Sequence, residues 1–275
     1  MKLNHCASQR SLAAILLLCG ELLAPCAARA QNPFRWPSGK RAALSFSFDD
    51  ARQSQVDTGL PLLNRYGVKA TFYVSPAAVP SRLEGWKKAA AAGHEIGNHS
   101  QSHPCTGNYE FSFGNALENY TLDRMAAELD GANASIERLL GVKAVGFGYP
   151  CGQKFVGRGT AVKSYVPLVA GRFLTGRGYR DEGANDPRIC DLAQLTGMAL
   201  DELDPKQAME LTAAAVKQGR WLILVSHEVG ASAFQTTTPA VLETLIKYAK
   251  DPANGIWLDT VKAVGEYVQK QRDAR

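Results

Sequence analysis

The stretch SFSFDD, Ser45 to Asp50, decides how the rest of the chain is read. Leu44, Phe46 and Phe48 alternate with Ser45 and Ser47, the period-2 pattern of a half-buried β-strand. The strand ends in two adjacent carboxylates, Asp49 and Asp50. Like charges side by side at the mouth of an apolar strand repel each other and give up hydration, so the pair calls for a compensating cation. Outward from it, strand and helix signals alternate. A helix is expected over 59–66, a strand at KATFYV (Lys69 to Val74), a short helix from Trp86 to Ala92 stopped by Gly93, and a strand from His94 to Asn98. An irregular loop follows over 104–120, then a helix from Leu122 to Leu140 stopped by Gly141 and a strand from Val142 to Phe147. Later come helices near 204–218, 239–249 and 260–271, and strands at Trp221 to Ser226 and Gly255 to Leu258. This alternation predicts a parallel sheet or barrel, and runs such as WLILV suit strands buried on both faces. In such folds the C-terminal strand ends converge on one face, where the active site sits.

The 275 residues fit one large domain behind a leader. Lys2 and Arg10 accompany a short apolar run, Leu12 to Leu18, and Ala28-Arg29-Ala30 reads as a cleavage site. Residues 1–30 are therefore expected to be a signal peptide and 31–275 a single domain, secreted or periplasmic. The run is short for a membrane span, so no stable membrane insertion is expected after cleavage. The formal charge of +5 falls to +3 without Lys2, Arg10, Arg29 and Glu21, three positive and one negative. That is too weak and scattered to argue for nucleic acid. Cys6, Cys19 and Cys26 leave with the leader; Cys105, Cys151 and Cys190 remain, which allows one disulfide and one free thiol in an oxidising compartment.

His99 and His103 form H-S-Q-S-H directly after the HEIGN strand. In a helical turn their i,i+4 spacing would set both imidazoles on one side. Two histidines and a carboxylate from Asp50 make a minimal site for zinc or another divalent transition metal (cobalt, nickel or iron), with positions left for water and substrate. The metal lowers the pKa of water, and Asp49 is the neighbour available to take its proton. His227 ends the WLILVSH strand and is the natural general acid. Gly148-Tyr149-Pro150-Cys151-Gly152 also follows a strand, and a backbone N–H there is suited to a developing oxyanion.

FDD, HSQSH, the GYPCG turn and the late VSH, in this order and each after a strand, resemble the polysaccharide deacetylase or NodB-homology family of carbohydrate esterases. The resemblance extends over roughly Ala42 to Val268 and includes KATFYV, GHEIGNHS and GIWLDT. It implies a distorted (β/α) barrel with fewer than eight regular units. It also implies Asp49 as general base, Asp50, His99 and His103 as metal ligands, His227 as general acid and the Cys151 backbone N–H as oxyanion donor. The implied reaction removes an N-acetyl or O-acetyl group from an oligo- or polysaccharide.

Three departures stand out. Many members of the family carry an arginine where Gly148 stands, an aromatic is common at the position of Cys151, and the Asp/Trp motif is not evident in TGRGYRDEGANDP. Arg172 or Arg177 is a candidate replacement for the guanidinium that orients the base. Cys151 pairs most readily with Cys105, which follows HSQSHP and should share its face, with Cys190 as rival; a thiolate ligand would close the position that chemistry needs. His94 reads as a core histidine. Phe34, Trp36, Tyr109, Phe111, Phe113 and Tyr179 are candidates for sugar stacking or plain packing. Two other functions compete with the deacetylase: a non-catalytic carbohydrate-binding relative and a metal-dependent hydrolase of another amide or ester.

Overall fold

The computed structural model describes residues 34–274; the expected signal peptide, its cleavage site, Cys6, Cys19 and Cys26 lie outside the described residues. Eight strands share one sheet: β1 Ala42–Asp49, β2 Thr71–Val74, β3 Glu95–Asn98, β4 Gly146–Gly148, β5 Thr175–Arg177, β6 Met198–Ala199, β7 Trp221–Ser226 and β8 Ile256–Leu258. Their order is β5-β4-β3-β2-β1-β7-β6, with β8 beside the start of β1, and every pairing is parallel. The sheet curls until a parallel bridge, Arg177 to Leu195, joins β5 to the segment entering β6. This is a distorted (β/α) barrel. The strands β4, β5 and β6 are only two or three residues long, so fewer than eight units are regular.

Seven α-helices among the described residues surround the sheet: α1 Leu60–Arg65, α2 Leu83–Ala91, α3 Leu122–Leu140, α4 Val166–Ala170, α5 Pro205–Lys217, α6 Pro239–Lys250 and α7 Val261–Asp273. In α3 the buried residues Met125, Leu129, Ala132, Ile136 and Leu140 recur at helical spacing. The Thr121 hydroxyl caps its start by accepting the Arg124 N–H, and Gly141 ends it at φ 69, a conformation glycine adopts at little cost. The main core lies between the sheet and its helices, with Phe48 stacked on Phe72 at 5.1 Å and Trp86 edge-on at 5.4 Å. Burying each such side chain contributes about 1.5–3 kcal/mol. No described helix is long and apolar enough to cross a membrane.

Two expectations change. Strand β1 is buried on both faces rather than one. Ser45 and Ser47 point into the barrel, where Ser45 accepts from the Trp221 indole at 3.0 Å and Ser47 donates to the Leu224 carbonyl at 3.1 Å. An alternation of apolar and small polar residues therefore marks the barrel interior here, not solvent. The strand expected at Val142 to Phe147 begins only at Gly146, just after the Leu174 N–H donates to the Val145 carbonyl at 2.8 Å.

Candidate active site

Asp49 is the last residue of β1 and is 2% exposed. Simple alternation would point Asp50 away from it. Instead Asp50 (φ 75) and Ala51 (φ 56) take left-handed backbone conformations, which cost L-residues about 1–2 kcal/mol each. That turn swings the Asp50 carboxylate toward the same cleft. Its Oδ1 lies 3.5 Å from His99 Nε2 and 3.4 Å from His103 Nε2. Arg52 donates to the other oxygen from Nε at 3.2 Å and Nη2 at 3.0 Å. The expected helical turn at HSQSH is absent: Ser100 (φ 63) and His103 (φ 51) fold the loop back on itself, tied by the Ser100 N–H to Asn98 Oδ1 at 2.6 Å and the His103 N–H to Ser100 Oγ at 3.0 Å. The two imidazoles converge all the same, 4.9 Å apart between centroids.

The donor set fits a small divalent cation. Zinc–ligand distances of about 2.0–2.2 Å place neighbouring tetrahedral donors about 3.4 Å apart, close to the two spacings Asp50 makes. The three donor atoms lie within 4.8 Å of one another. His99 donates from Nδ1 to the Gly148 carbonyl at 2.8 Å, which reserves Nε2, the atom facing Asp50, for a cation once it gives up its proton. Burial, then the charge of His99, lowers the His103 pKa to about 4 despite the opposing pull of Asp50 and Asp49, so its imidazole is neutral and able to ligate at neutral pH. Burial pushes the Asp50 carboxyl up, but the His99 hydrogen bond and the charges of His99, His103 and His227 hold it well below the ordinary carboxylate range.

Asp49 has a different partner. Its Oδ2 is 3.9 Å from His99 Nε2, and its Oδ1 accepts from Nη2 of the fully buried Arg177. Arg177 also donates from Nη1 to the Gly178 carbonyl at 2.8 Å and lies 4.7 Å over the Tyr73 ring. Gly148 and Arg177 are in register on adjacent strands. A Cβ at position 148 would sit 2.9 Å from the Tyr73 ring, 3.0 Å from His99 Nδ1 and 3.1 Å from Arg177 Nη2. The guanidinium therefore enters from β5, through space that a side chain on β4 would fill. Arg172 is not at the site; it pairs with Asp130 on the surface at 2.8 Å.

Across the cleft, His227 follows β7 and its Nδ1 donates to Asp201 Oδ2 at 2.6 Å, while its own N–H donates to Asp201 Oδ1 at 3.1 Å. Burial lowers the His227 pKa, but the Asp201 hydrogen bond and the charges of Asp49, Asp201 and Asp50 outweigh it and raise the value overall. Gln55 is buried and its amide donates to the carbonyls of both Asp49 (2.6 Å) and His227 (2.7 Å), holding the ends of β1 and β7 at one spacing. Asp201, Gln55 and Arg52 were not identifiable from sequence. Asp201 obeys the rule that polar residues follow strands, but its strand, β6, is two residues long and gives no periodic signal.

Cys105 and Cys151 are joined in a disulfide with Cα atoms 6.1 Å apart, tying the His103 loop to the turn after β4. Cys190 is free and receives an Arg272 N–H at 3.1 Å. Asp49, Asp50, His99, His103, Cys151 and His227 line one cleft of about 580 Å³. His94 lies outside it, accepting the Ala70 N–H at 3.2 Å and hydrogen-bonding Asn64 at 3.0 Å; burial, then Lys69, lowers its pKa to about 4. Phe34 and Trp36 pack with Tyr267 and Trp257 rather than lining the cleft.

The polysaccharide deacetylase family model matches residues 36–163. A peptidoglycan-N-acetylglucosamine deacetylase, PgdA of Listeria monocytogenes, is 41% identical over 68 residues, which is 24% of this chain and 14% of that protein. The chain spans about a quarter or less of the length of the curated relatives it matches. A Mycobacterium smegmatis structure described as a polysaccharide deacetylase superposes with TM-score 0.61 at 18% identity, covering 87% of this chain and 94% of that one. A family 4 acetyl xylan esterase from Clostridium thermocellum, in complex with a cobalt ion, gives TM-score 0.52 at 23% identity, covering 81% and 89%. At these identities the two structures show a shared fold.

Proposed function

The chain belongs to the polysaccharide deacetylase family, and from that premise we propose that it is a secreted, metal-dependent hydrolase removing N- or O-acetyl groups from a carbohydrate. One observation carries the reading: Asp50, His99 and His103 converge within 4.8 Å, with Asp49 clamped by Arg177 beside them and His227, backed by Asp201, in the same cleft. Asp50, His99 and His103 hold the cation, with zinc first and cobalt, nickel or iron as alternatives. When bound, the cation polarises the acetyl carbonyl and makes water a strong nucleophile near neutral pH.

Asp49 takes the proton of the attacking water, and Arg177 fixes the carboxylate's orientation for that transfer. The Cys151 N–H, in a residue lining the cleft, is the donor for the oxygen that becomes negative as the carbonyl is attacked. His227, protonated, gives its proton to the departing nitrogen or oxygen of the sugar, and Asp201, by accepting from Nδ1, leaves Nε2 as the nitrogen that gives it up. Acetate and a free amine or hydroxyl result. A disulfide at the rim and a leader-like segment at 1–30 support an oxidising, extracytoplasmic location.

The test is acetate release from chitin oligomers, peptidoglycan and acetylated xylan, with chelator and metal add-back. Release from at least one, lost on chelation and restored by zinc or cobalt, is expected. Metal bound with no release from any would favour the carbohydrate-binding alternative, and release that survives complete metal removal would overturn the cation's role.

A further inference from the structure

The catalytic cleft continues into a pocket of about 220 Å³ that contains none of the proposed ligands, base or acid. Tyr109 and Arg180 line it together with Phe111, Cys151, Tyr179, Phe234 and Gln235, the last five shared with the main cleft. Phe111 is 71% and Phe234 74% exposed, and both line the mouth of the cleft. Tyr109 and Phe111 stack at 5.5 Å with ring planes 10° apart, so they present an ordered flat surface. Tyr179 is set edge-on to His227 at 5.1 Å, which joins this surface to the proposed acid. A flat apolar wall beside a polar centre matches a pyranose ring, which has an apolar C–H face and polar edges.

Arg180 adds charge selectivity. It sits three residues beyond β5 at φ 58, with its guanidinium 5.2 Å from the Tyr179 ring centroid. Among the described residues no carboxylate lies within 4.0 Å of it, whereas Arg52 at the other end of the cleft is engaged by Asp50 at 3.0 Å and Glu228 at 3.7 Å. Glu202, whose charge acts on Arg180, accepts the Gln235 N–H at 3.1 Å, and Asp181 accepts the Gly197 N–H at 2.9 Å. Arg180 also hydrogen-bonds the Tyr179 side chain, and a guanidinium held beside an aromatic wall is suited to a bidentate carboxylate on whatever covers that wall.

We propose that this pocket is a subsite for a carboxylate-bearing sugar next to the acetylated one, so that the substrate is an acidic acetylated polysaccharide. The inference rests on the deacetylase reading for its setting. The carboxylate can belong to a uronic acid or to a lactyl-ether amino sugar. Three sets of acetylated oligomers of equal length distinguish these: uronate-containing, lactyl-ether-containing and neutral chitin oligomers.

One acidic set should exceed the neutral set in kcat/KM by about tenfold at low salt, mainly through KM. The preference should shrink as salt is added, and Arg180→Gln should bring the ratio near one. Phe111→Ala and Phe234→Ala should each raise KM for oligomers several-fold more than for an acetylated monosaccharide. Equal or better use of neutral oligomers, or a preference that survives Arg180→Gln, would overturn the subsite. Calorimetric binding of acetyl-free acidic and neutral oligomers to the wild-type protein keeps the two readings apart. If no substrate releases acetate, the deacetylase reading fails, while tighter binding of acidic oligomers still supports the subsite and its absence removes it.

Discussion

Two buried carboxylates occupy opposite ends of the same sheet. Asp49 closes β1 at the C-terminal edge and is 2% exposed; Glu95 opens β3 at the N-terminal edge and is 7% exposed. Asp49 meets the guanidinium of Arg177 and faces His99. Glu95 meets only neutral donors: Thr71 Oγ1 at 2.7 Å and the Lys262 N–H at 2.8 Å, both on Oε2, with Oε1 unpaired. Burial therefore dominates at the floor and lifts the Glu95 pKa to about 7. Burial without an opposite charge favours the neutral acid at Glu95; beside Asp49 the neighbouring strand supplies a guanidinium that Glu95 lacks. The two ends of the barrel differ in which partners the flanking strands supply.

The largest effect should come from removing the partner at the top. Arg177→Ala strands a buried carboxylate, and we expect kcat/KM to fall at least about 100-fold and unfolding free energy by about 3–5 kcal/mol, read by acetate release and urea denaturation. Arg177→Lys should recover part of each, since a point charge replaces a two-pronged donor. Full turnover in Arg177→Ala would erase the contrast between the two carboxylates.

A smaller change is expected on the acid side. His227 must be protonated to serve as acid, so kcat/KM falls as pH rises through its raised pKa. Asp201→Asn removes a main cause of that rise and should move the alkaline limb of the pH–rate profile to lower pH, with roughly tenfold lower activity at neutral pH. An alkaline limb that stays in place would separate His227 from the acid's role.

The smallest effect belongs to the floor and concerns stability alone. Below pH 4.5 Glu95 is protonated in both states. Between 4.5 and about 7 the unfolded chain ionises while the folded one resists, so stability falls as pH rises through that window. The loss levels off above pH 7 at up to about 3 kcal/mol. Glu95→Gln should flatten this dependence and raise stability at pH 8, with activity within about twofold of wild type. An unchanged slope in the variant would mean that another group titrates there.

Much of this arrangement was legible where period and spacing are strong. Strands β1 and β7 carry regular apolar signals and β3 is marked by the Gly93 stop before it, and the residues at or just after their ends, Asp49, Asp50, His99 and His227, could be gathered into one site from the sequence. The form of the HSQSH loop was not legible, because left-handed Ser100 and His103 are set by side-chain hydrogen bonds that no periodicity records. Arg177 could be named only as one of two candidates, since its reach depends on the register of β4 and β5 and on the space left by Gly148. Asp201 and Phe234 gave no signal: one follows a two-residue strand, the other sits on an exposed loop. The family match ends at residue 163, so Arg177, Asp201 and His227 rest on geometry and chain order.

The division of labour between the adjacent aspartates is the central claim, and metal content measured beside turnover in Asp49→Asn and Asp50→Asn tests it most directly. Asp49→Asn should retain about one divalent ion per chain and hydrolyse nothing, while Asp50→Asn should lose the ion and the activity together. An Asp50→Asn protein that keeps its ion, or an Asp49→Asn protein that loses it, would contradict the account.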